Sequence, residues 1–216
     1  VIPVPFEIVR DYNLPAYVDS ATLVIASSCS GNTEETLSCL DQATQRGAQI
    51  AVLASGSKLL ERAVAGNIAH IVLPDRSRLE PRMTTIAQTR ALAQLLAHFG
   101  VVSSEYYDEI ARQTDALATA SADWASDVTT ARNYAKQLAL LAVGKTAVMY
   151  GGELTAPLAY KWKISWNENS KNVAFWNEYP EFNHNEFLGW TSHPIEKPYV
   201  VFDLFSRFEH SQVQRR

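Results

Sequence analysis

Two stretches of this chain hold the residue types that chemistry needs. The first is Ser28-Cys29-Ser30-Gly31-Asn32-Thr33-Glu34-Glu35-Thr36. It joins a largely apolar, β-branched run at 21–26 (ATLVIA) to a helical pattern at 33–46 with Leu37 and Leu40 on one face. A helix N-terminus carries partial positive charge and unpaired N–H donors. Ser28, Ser30 and Thr33 add hydroxyls around Gly31, whose missing side chain would let an anion approach the backbone. Asn32, with Glu35 three residues on, reads as a capping box that ties off part of that terminus. Dianionic phosphate suits such a place. A Ser/Asn-rich turn can be plain capping chemistry, and its position after a buried parallel strand is what favours binding.

The second stretch is Trp166-Asn167-Glu168-Asn169-Ser170-Lys171, followed by Pro180-Glu181-Phe182-Asn183-His184-Asn185-Glu186. Glu168 ends a helical pattern that carries Trp162 and Trp166, and apolar walls beside it would raise its carboxyl towards a useful base. His184 lies in a polar loop that opens another short helix. Each has a bland alternative, a surface carboxylate and a loop imidazole. The pair in one half of the chain is harder to dismiss. Glu186 either orients His184 or is simply hydrated.

Positioning these groups takes a frame. Runs at 49–53 (QIAVL) and 68–73 (IAHIVL) read as further buried strands, with helices at 33–46 and 57–65 between them and Gly47 and Gly66 where C-terminal caps belong. Alternating strands and helices mean βαβ units and a parallel sheet, with ligands at the carboxyl ends of its strands. A polar loop after Pro74, in which Arg76 and Arg78 read as solvated charges, ends at Pro81-Arg82. A helix at 84–98 follows, closed by Gly100, and then helical patterns at 105–118 and 122–141. Strand returns at 146–150 (TAVMY), then Gly151-Gly152, a helix at 154–169, and strands at 172–176 and 199–205. Gly151-Gly152 is either a tight turn or a second close approach to substrate. The expected fold is α/β, doubly wound and flavodoxin-like. Two subdomains with parallel sheets flanked by helices fall at 1–103 and 143–216, joined by a helical connector at 104–142.

Composition narrows the partners. The 216 residues are 47% hydrophobic and carry 19 basic against 23 acidic side chains, a formal charge of −4, which is a balance for burying a core rather than for disorder. The absence of a Lys/Arg block argues against nucleic acid or an anionic membrane as partner. Apolar runs such as 23–26 and 138–143 fall far short of the roughly 18 residues of a membrane span. Cys29 and Cys39 form no CxxC motif and fit a reducing cytoplasm. The five histidines form neither HxH nor HExxH, so no metal is expected, and no nucleotide phosphate loop of the G-x-x-x-x-G-K-[ST] type appears. The chain opens at Val1 with no methionine or signal-peptide pattern, and a piece of a longer protein is expected.

The 28–36 run resembles the phosphosugar-binding signature S-x-S-G-N-T-x-E-T of sugar isomerase (SIS) domains, in which the hydroxyls corresponding to Ser28, Ser30 and Thr33 hold the sugar phosphate. Cys29 fills a slot often held by tyrosine and is expected to pack. The later motifs resemble N-E-N-[AS]-K and P-E-x-N-H-N-E of the bifunctional phosphoglucose/phosphomannose isomerase branch. With Pro81-Arg82 they make four ordered matches over most of the chain.

That resemblance implies two SIS-type subdomains and aldose-ketose isomerisation of hexose 6-phosphates through a cis-enediol, without cofactor. Glucose 6-phosphate and fructose 6-phosphate would be the substrates, with mannose 6-phosphate as a second aldose. It implies Glu168 as the base between C1 and C2, His184 as the group that assists ring opening, and Arg82 as the stabiliser of the enediolate. It also implies a homodimer in which His184 can serve a neighbouring subunit's site. Family members begin with a strand and a Gly-Gly-Ser type loop and continue to a functional lysine, neither of which lies in this sequence, so incompleteness at both ends and poor activity of this segment alone are expected. The rival readings are a phosphosugar-binding regulatory module without chemistry and an aminotransferring relative such as the isomerase half of a glucosamine 6-phosphate synthase.

Overall fold

Short runs rich in Val, Ile and Ala become strands because both their faces can be buried, as a parallel sheet requires. In the structure, a computed structural model that describes residues 2–75, 79–192 and 196–215, they form β1 (Leu23–Ser28), β2 (Gln49–Ala54) and β3 (Ala69–Val72). The three are parallel in the order β1-β2-β3, with Ala26 opposite Val52 and Ser28 opposite Ala54. Helices α1 (Glu34–Gln45) and α2 (Ser57–Ala65) cross between them, and Leu40, Leu59 and Ala63 pack with Ala26, Val52 and Ala54 on one face. Helix α3 (Thr85–His98) covers the other face, where Ala91 and Leu95 meet Ala51, Leu53 and Leu73. β1 runs two residues further than its apolar run, so the polar loop begins inside the strand and Ser28 is its last member. Gly47 takes the left-handed conformation after α1, whereas after α2 that role falls to Asn67 and Gly66 remains right-handed. The reading of Arg76 and Arg78 as solvated charges lies outside the described residues.

Helices α4 (Ser104–Arg112), α5 (Thr114–Ala122) and α6 (Tyr134–Ala142) follow. The pattern at 122–141 predicts one helix, but the chain leaves helix at Ala122 and resumes only at Tyr134. The cause is Asn133, which is fully buried. Its Oδ1 accepts from Lys136 N (3.0 Å) and caps α6, while its Nδ2 donates to Ala125 O (3.0 Å). Lys136 Nζ donates to Ser126 O (2.6 Å) and Val128 O (2.7 Å). A buried cap that binds the incoming loop outcompetes continued helix.

The chain divides into two compact units, Val1–Leu117 and Ala118–Arg216. In the second, β4 (Thr146–Gly151), β5 (Ala174–Glu178) and β6 (Tyr199–Leu204) form a parallel sheet in the order β5-β4-β6. Helix α7 (Ala156–Ser170) crosses from β4 to β5, and Ala159 with Trp166 packs on Met149, Ala174 and Phe202. Two short helices, α8 (Glu186–Gly189) and α9 (Ser211–Gln214), flank β6 in sequence. β5 starts two residues later than the apolar run at 172–176 suggests, because Lys171, in the left-handed conformation (φ 59°), and Asn172 belong to the end of α7. Among the described residues no helix is long and apolar enough to cross a membrane.

Replacing Asn133 by Ala removes a cap and a loop anchor together. The unfolding free energy is expected to fall by about 2 kcal/mol, seen as a lower urea midpoint at unchanged slope.

Candidate active site

Three hydroxyls converge where β1 hands over to α1. Ser28 Oγ lies 2.7 Å from Thr33 Oγ1 and 3.3 Å from Ser30 Oγ, and Ser30 Oγ lies 3.5 Å from Thr33 Oγ1. Ser28 is buried at the strand end and Thr33 is exposed, so the cluster opens to solvent on its helix side. Two backbone donors bind within it: Gly31 N to Ser28 Oγ (3.1 Å) and Asn32 N to Ser30 Oγ (3.2 Å). The predicted Asn32–Glu35 capping box is replaced. Thr33 is the N-cap residue and makes no side-chain cap bond, because its hydroxyl is turned towards Ser28.

Gly31 also works differently from the sequence expectation. Its φ is +71°, and a Cβ there would strike the carbonyl oxygen of Gly56. Its missing side chain therefore lets the loop seat against the β2–α2 turn, where Gly31 O accepts from Leu59 N (2.9 Å). Cys29 O accepts from Ser55 N (3.3 Å) and from the Ser55 hydroxyl. The loop is thus held from behind, and of its three hydroxyl residues Thr33 is exposed, Ser30 partly exposed and Ser28 buried.

Arg82 sits in a 3-10 turn, Pro81–Met83, whose first proline presets the backbone. Thr84, nearly fully buried, ties this turn down: its hydroxyl donates to Pro81 O (2.8 Å) and accepts from Gln88 Nε2 (2.7 Å). The same hydroxyl lies 4.0 Å from Cys29 Sγ, which places the Arg82 turn beside the hydroxyl loop and gives Cys29 its packing partner. The Arg82 side chain is 22% exposed, with Nη1 3.6 Å from Glu80 Oε2.

In the second unit the neighbours of Glu168 finish a helix. Asn167 Nδ2 donates to Asn172 O (2.8 Å), Ser170 Oγ to Trp166 O (2.6 Å) and Lys171 Nζ to Glu168 O (2.5 Å). The last of these meets a carbonyl that the helix end leaves open, and the first ties the segment after the helix back to it. They fix the backbone from which the partly buried Glu168 projects.

His184 is exposed and ends a 3-10 turn, Glu181–His184. The turn is pinned on both sides of it. Phe182 is buried and stacks on Tyr150, with centroids 4.3 Å apart. Glu186 accepts from the Tyr150 hydroxyl and from Asn177 Nδ2 (2.6 Å), and Trp190 Nε1 donates to Tyr150 Oη (3.0 Å). The Glu186 carboxylate thus holds the turn through Tyr150 and Asn177. Sequence reasoning missed both residues, although they pair across β4 and β5 near the carboxyl edge of the sheet, where site residues are to be sought.

Glu168 and His184 do not meet. Helix α7 runs back from the carboxyl edge of the sheet to its amino edge, so Glu168 lies at the amino edge, while the His184 turn follows β5 at the carboxyl edge. A strand of this length puts roughly 17 Å between those edges. Gly152 makes its close approach to Glu209, whose carboxylate a Cβ at Gly152 would meet at 2.5 Å. Among the described residues no three His, Cys, Asp or Glu side chains group as metal ligands.

Tyr150→Phe leaves Glu186 and Trp190 short of a partner and is expected to cost about 1–3 kcal/mol of stability at neutral pH, measured by urea titration. Burial first, and the bond to the Glu186 carboxylate second, push the Tyr150 hydroxyl above its ordinary pKa of 10.0. A folded value above the unfolded one stabilises fully below about pH 10, and that contribution is lost as pH rises towards the folded value. The deficit of the variant relative to the parent should therefore shrink above about pH 10.

A family model described as the bacterial phospho-glucose isomerase C-terminal SIS domain matches residues 131–216. A bifunctional phosphoglucose/phosphomannose isomerase of Caldicellulosiruptor bescii is 38% identical over 203 residues, covering 94% of this chain and 58% of that protein. One of Aquifex aeolicus is 31% identical over 212 residues, covering 98% and 61%. The chain thus spans about three fifths of these relatives. Among solved structures, glucosamine-6-phosphate deaminase of Thermotoga maritima matches with a TM-score of 0.62 at 14% identity, over 94% of this chain and 58% of that one, which shows the shared fold. Sequence similarity to bifunctional phosphoglucose/phosphomannose isomerases thus runs through both sheets and both motif-bearing stretches, and residues 131–216 match an SIS domain of the bacterial phospho-glucose isomerase type.

Proposed function

We propose that the protein isomerises hexose 6-phosphates, interconverting glucose 6-phosphate and fructose 6-phosphate and accepting mannose 6-phosphate as a second aldose. The observation that carries this reading is the cluster of Ser28, Ser30 and Thr33 hydroxyls at the N-terminus of α1, a set of donors suited to a phosphate dianion. Its phosphate end would anchor the sugar, and the chemistry would proceed at C1 and C2. Glu168 removes the proton from the carbon next to the carbonyl, the carbonyl oxygen gains a proton, and a cis-enediol results. Return of a proton to the neighbouring carbon gives the ketose. The Arg82 guanidinium offsets charge developing on the oxygens, and His184 carries the ring-oxygen proton during opening. Serving glucose and mannose alike requires the enediol to turn within the site, since the two sugars differ at C2. Neither cofactor nor metal enters these steps.

The placement of Glu168 and His184 at opposite edges of one sheet adds a homodimer to the proposal. Each site takes Glu168 from one copy and the partner's His184, so that neither copy is complete alone. Partners beyond the sugar phosphate and the second copy, such as nucleic acid or a membrane, have no role in this reading.

A coupled assay on the full-length protein, supplied with fructose 6-phosphate and read for both aldose phosphates, tests the reaction. Glu168→Gln is expected to lower kcat by about 10²–10⁴-fold with phosphosugar binding retained. Binding without turnover in the parent protein would move the assignment to a regulatory phosphosugar module. Shared sites have their own signature. Glu168→Gln and His184→Ala chains, each inactive alone, should recover roughly a quarter of parent activity when mixed and allowed to form hybrids. A mixture with no recovery would place both residues in a site of one chain.

A further inference from the structure

The second unit repeats the strand–turn–helix arrangement of the first, and its helix N-terminus is filled. Glu209 arrives there from the turn after β6 and is 4% exposed. Its carboxylate accepts from Leu154 N (3.1 and 3.3 Å to the two oxygens) and Thr155 N (3.1 Å), and lies 3.1 Å from Thr155 Oγ1. Thr155 Oγ1 in turn accepts from Gly152 N (2.8 Å) and has Leu204 O as its other acceptor neighbour. Among the described residues no lysine, arginine or histidine lies within ion-pair distance of Glu209. A carboxylate this deeply buried without a cation is tolerable only where amides and a helix N-terminus replace water. The turn is shaped for that occupant, because the nearest atoms to a Cβ at Gly152 would be the Glu209 carboxylate carbon and oxygens, at 2.5 to 2.8 Å. The segment presenting Glu209 is closed on itself by Gln214, whose Nε2 donates to Glu209 O (2.7 Å) and Arg207 O (3.2 Å), and by the buried Val213.

We propose that the turn between β4 and α7 is an anion cradle whose resident ligand is the Glu209 carboxylate, which closes this unit to phosphate esters. Of two similarly built helix N-termini, the one at Ser28–Thr33 offers hydroxyls to solvent, and the one at Leu154–Thr155 holds an internal anion. Each chain then takes one phosphosugar. That stoichiometry rests on the proposed isomerase reading, whereas the cradle itself does not.

The test reads thermal stability, not activity, so its outcome is independent of whether the protein is an isomerase. Glu209→Ala in the intact protein is expected to lower Tm by roughly 5–15 °C. Sodium formate and inorganic phosphate, as small anions that enter the vacated cradle, should restore much of that loss relative to chloride at equal ionic strength, over and above any rise that phosphate gives the parent through the Ser28–Thr33 hydroxyls. Glu209→Gln, which keeps the shape and drops the charge, should be less stable than the parent. Gly152→Ala should lower Tm in the parent and far less in the Glu209→Ala background. A Glu209→Ala loss that neither anion restores beyond chloride and beyond its effect on the parent overturns the proposal. If that variant does not fold, Glu209→Gln decides: a Tm equal to the parent's overturns the proposal, and a lowered Tm supports it.

Discussion

Every crossover in a parallel sheet delivers a helix N-terminus to the carboxyl edge of the strands, and the unpaired amides there must be met by something. Much in this protein follows from how that requirement is met twice. At β1–α1 the last strand residue is Ser28, and the loop folds its hydroxyls into a group that opens to solvent. At β4–α7 the strand ends in Gly151-Gly152, the turn carries one hydroxyl, and a carboxylate from 54 residues later completes it. The first solution leaves capacity for a ligand, and the second converts the same backbone feature into tertiary structure. A carboxylate and a phosphate are interchangeable answers to one electrostatic demand.

The motif around Glu168 shows how a short polar run divides its tasks. Asn167, Ser170 and Lys171 direct their side chains to carbonyl groups at the end of α7, and Lys171 takes the left-handed backbone usually left to glycine. Only a residue other than glycine can supply the amine that reaches back to Glu168 O. The residues that flank Glu168 in this motif are thus accounted for by the backbone they hold.

Local chemistry was what the sequence displayed best. The strands, the crossovers and the serine-rich loop were legible because each depends on side-chain periodicity or on neighbours within a few residues. Asn133 was not, since the break between α5 and α6 depends on complete burial of one amide, and the apolar pattern runs on through it. The Asn32 capping box failed because Thr33 Oγ1 found Ser28, a choice between two adjacent hydrogen-bonding residues that spacing alone leaves open. Glu209 carried no local signal, its partners being Leu154 and Thr155. The opposite placement of Glu168 and His184 was implicit in the order strand, helix, strand, turn.

Helix α7 begins at a carboxylate anchor and carries the proposed base near its other end. Glu209 holds the start of the helix, and Glu168 projects near its finish. Its 15 residues make a rod about 22 Å long, so a tilt of about 5° at the anchored end moves the far end by about 2 Å. Reaction geometries tolerate less than that, since a misplacement of about 1 Å can cost a hundredfold in rate. The position of the proposed base therefore depends in part on leverage: slack introduced beside Gly152 that the sheet contacts of Ala159 and Trp166 do not absorb is magnified along the rod, so that the turn after β6 bears on the far end of the sheet without approaching it.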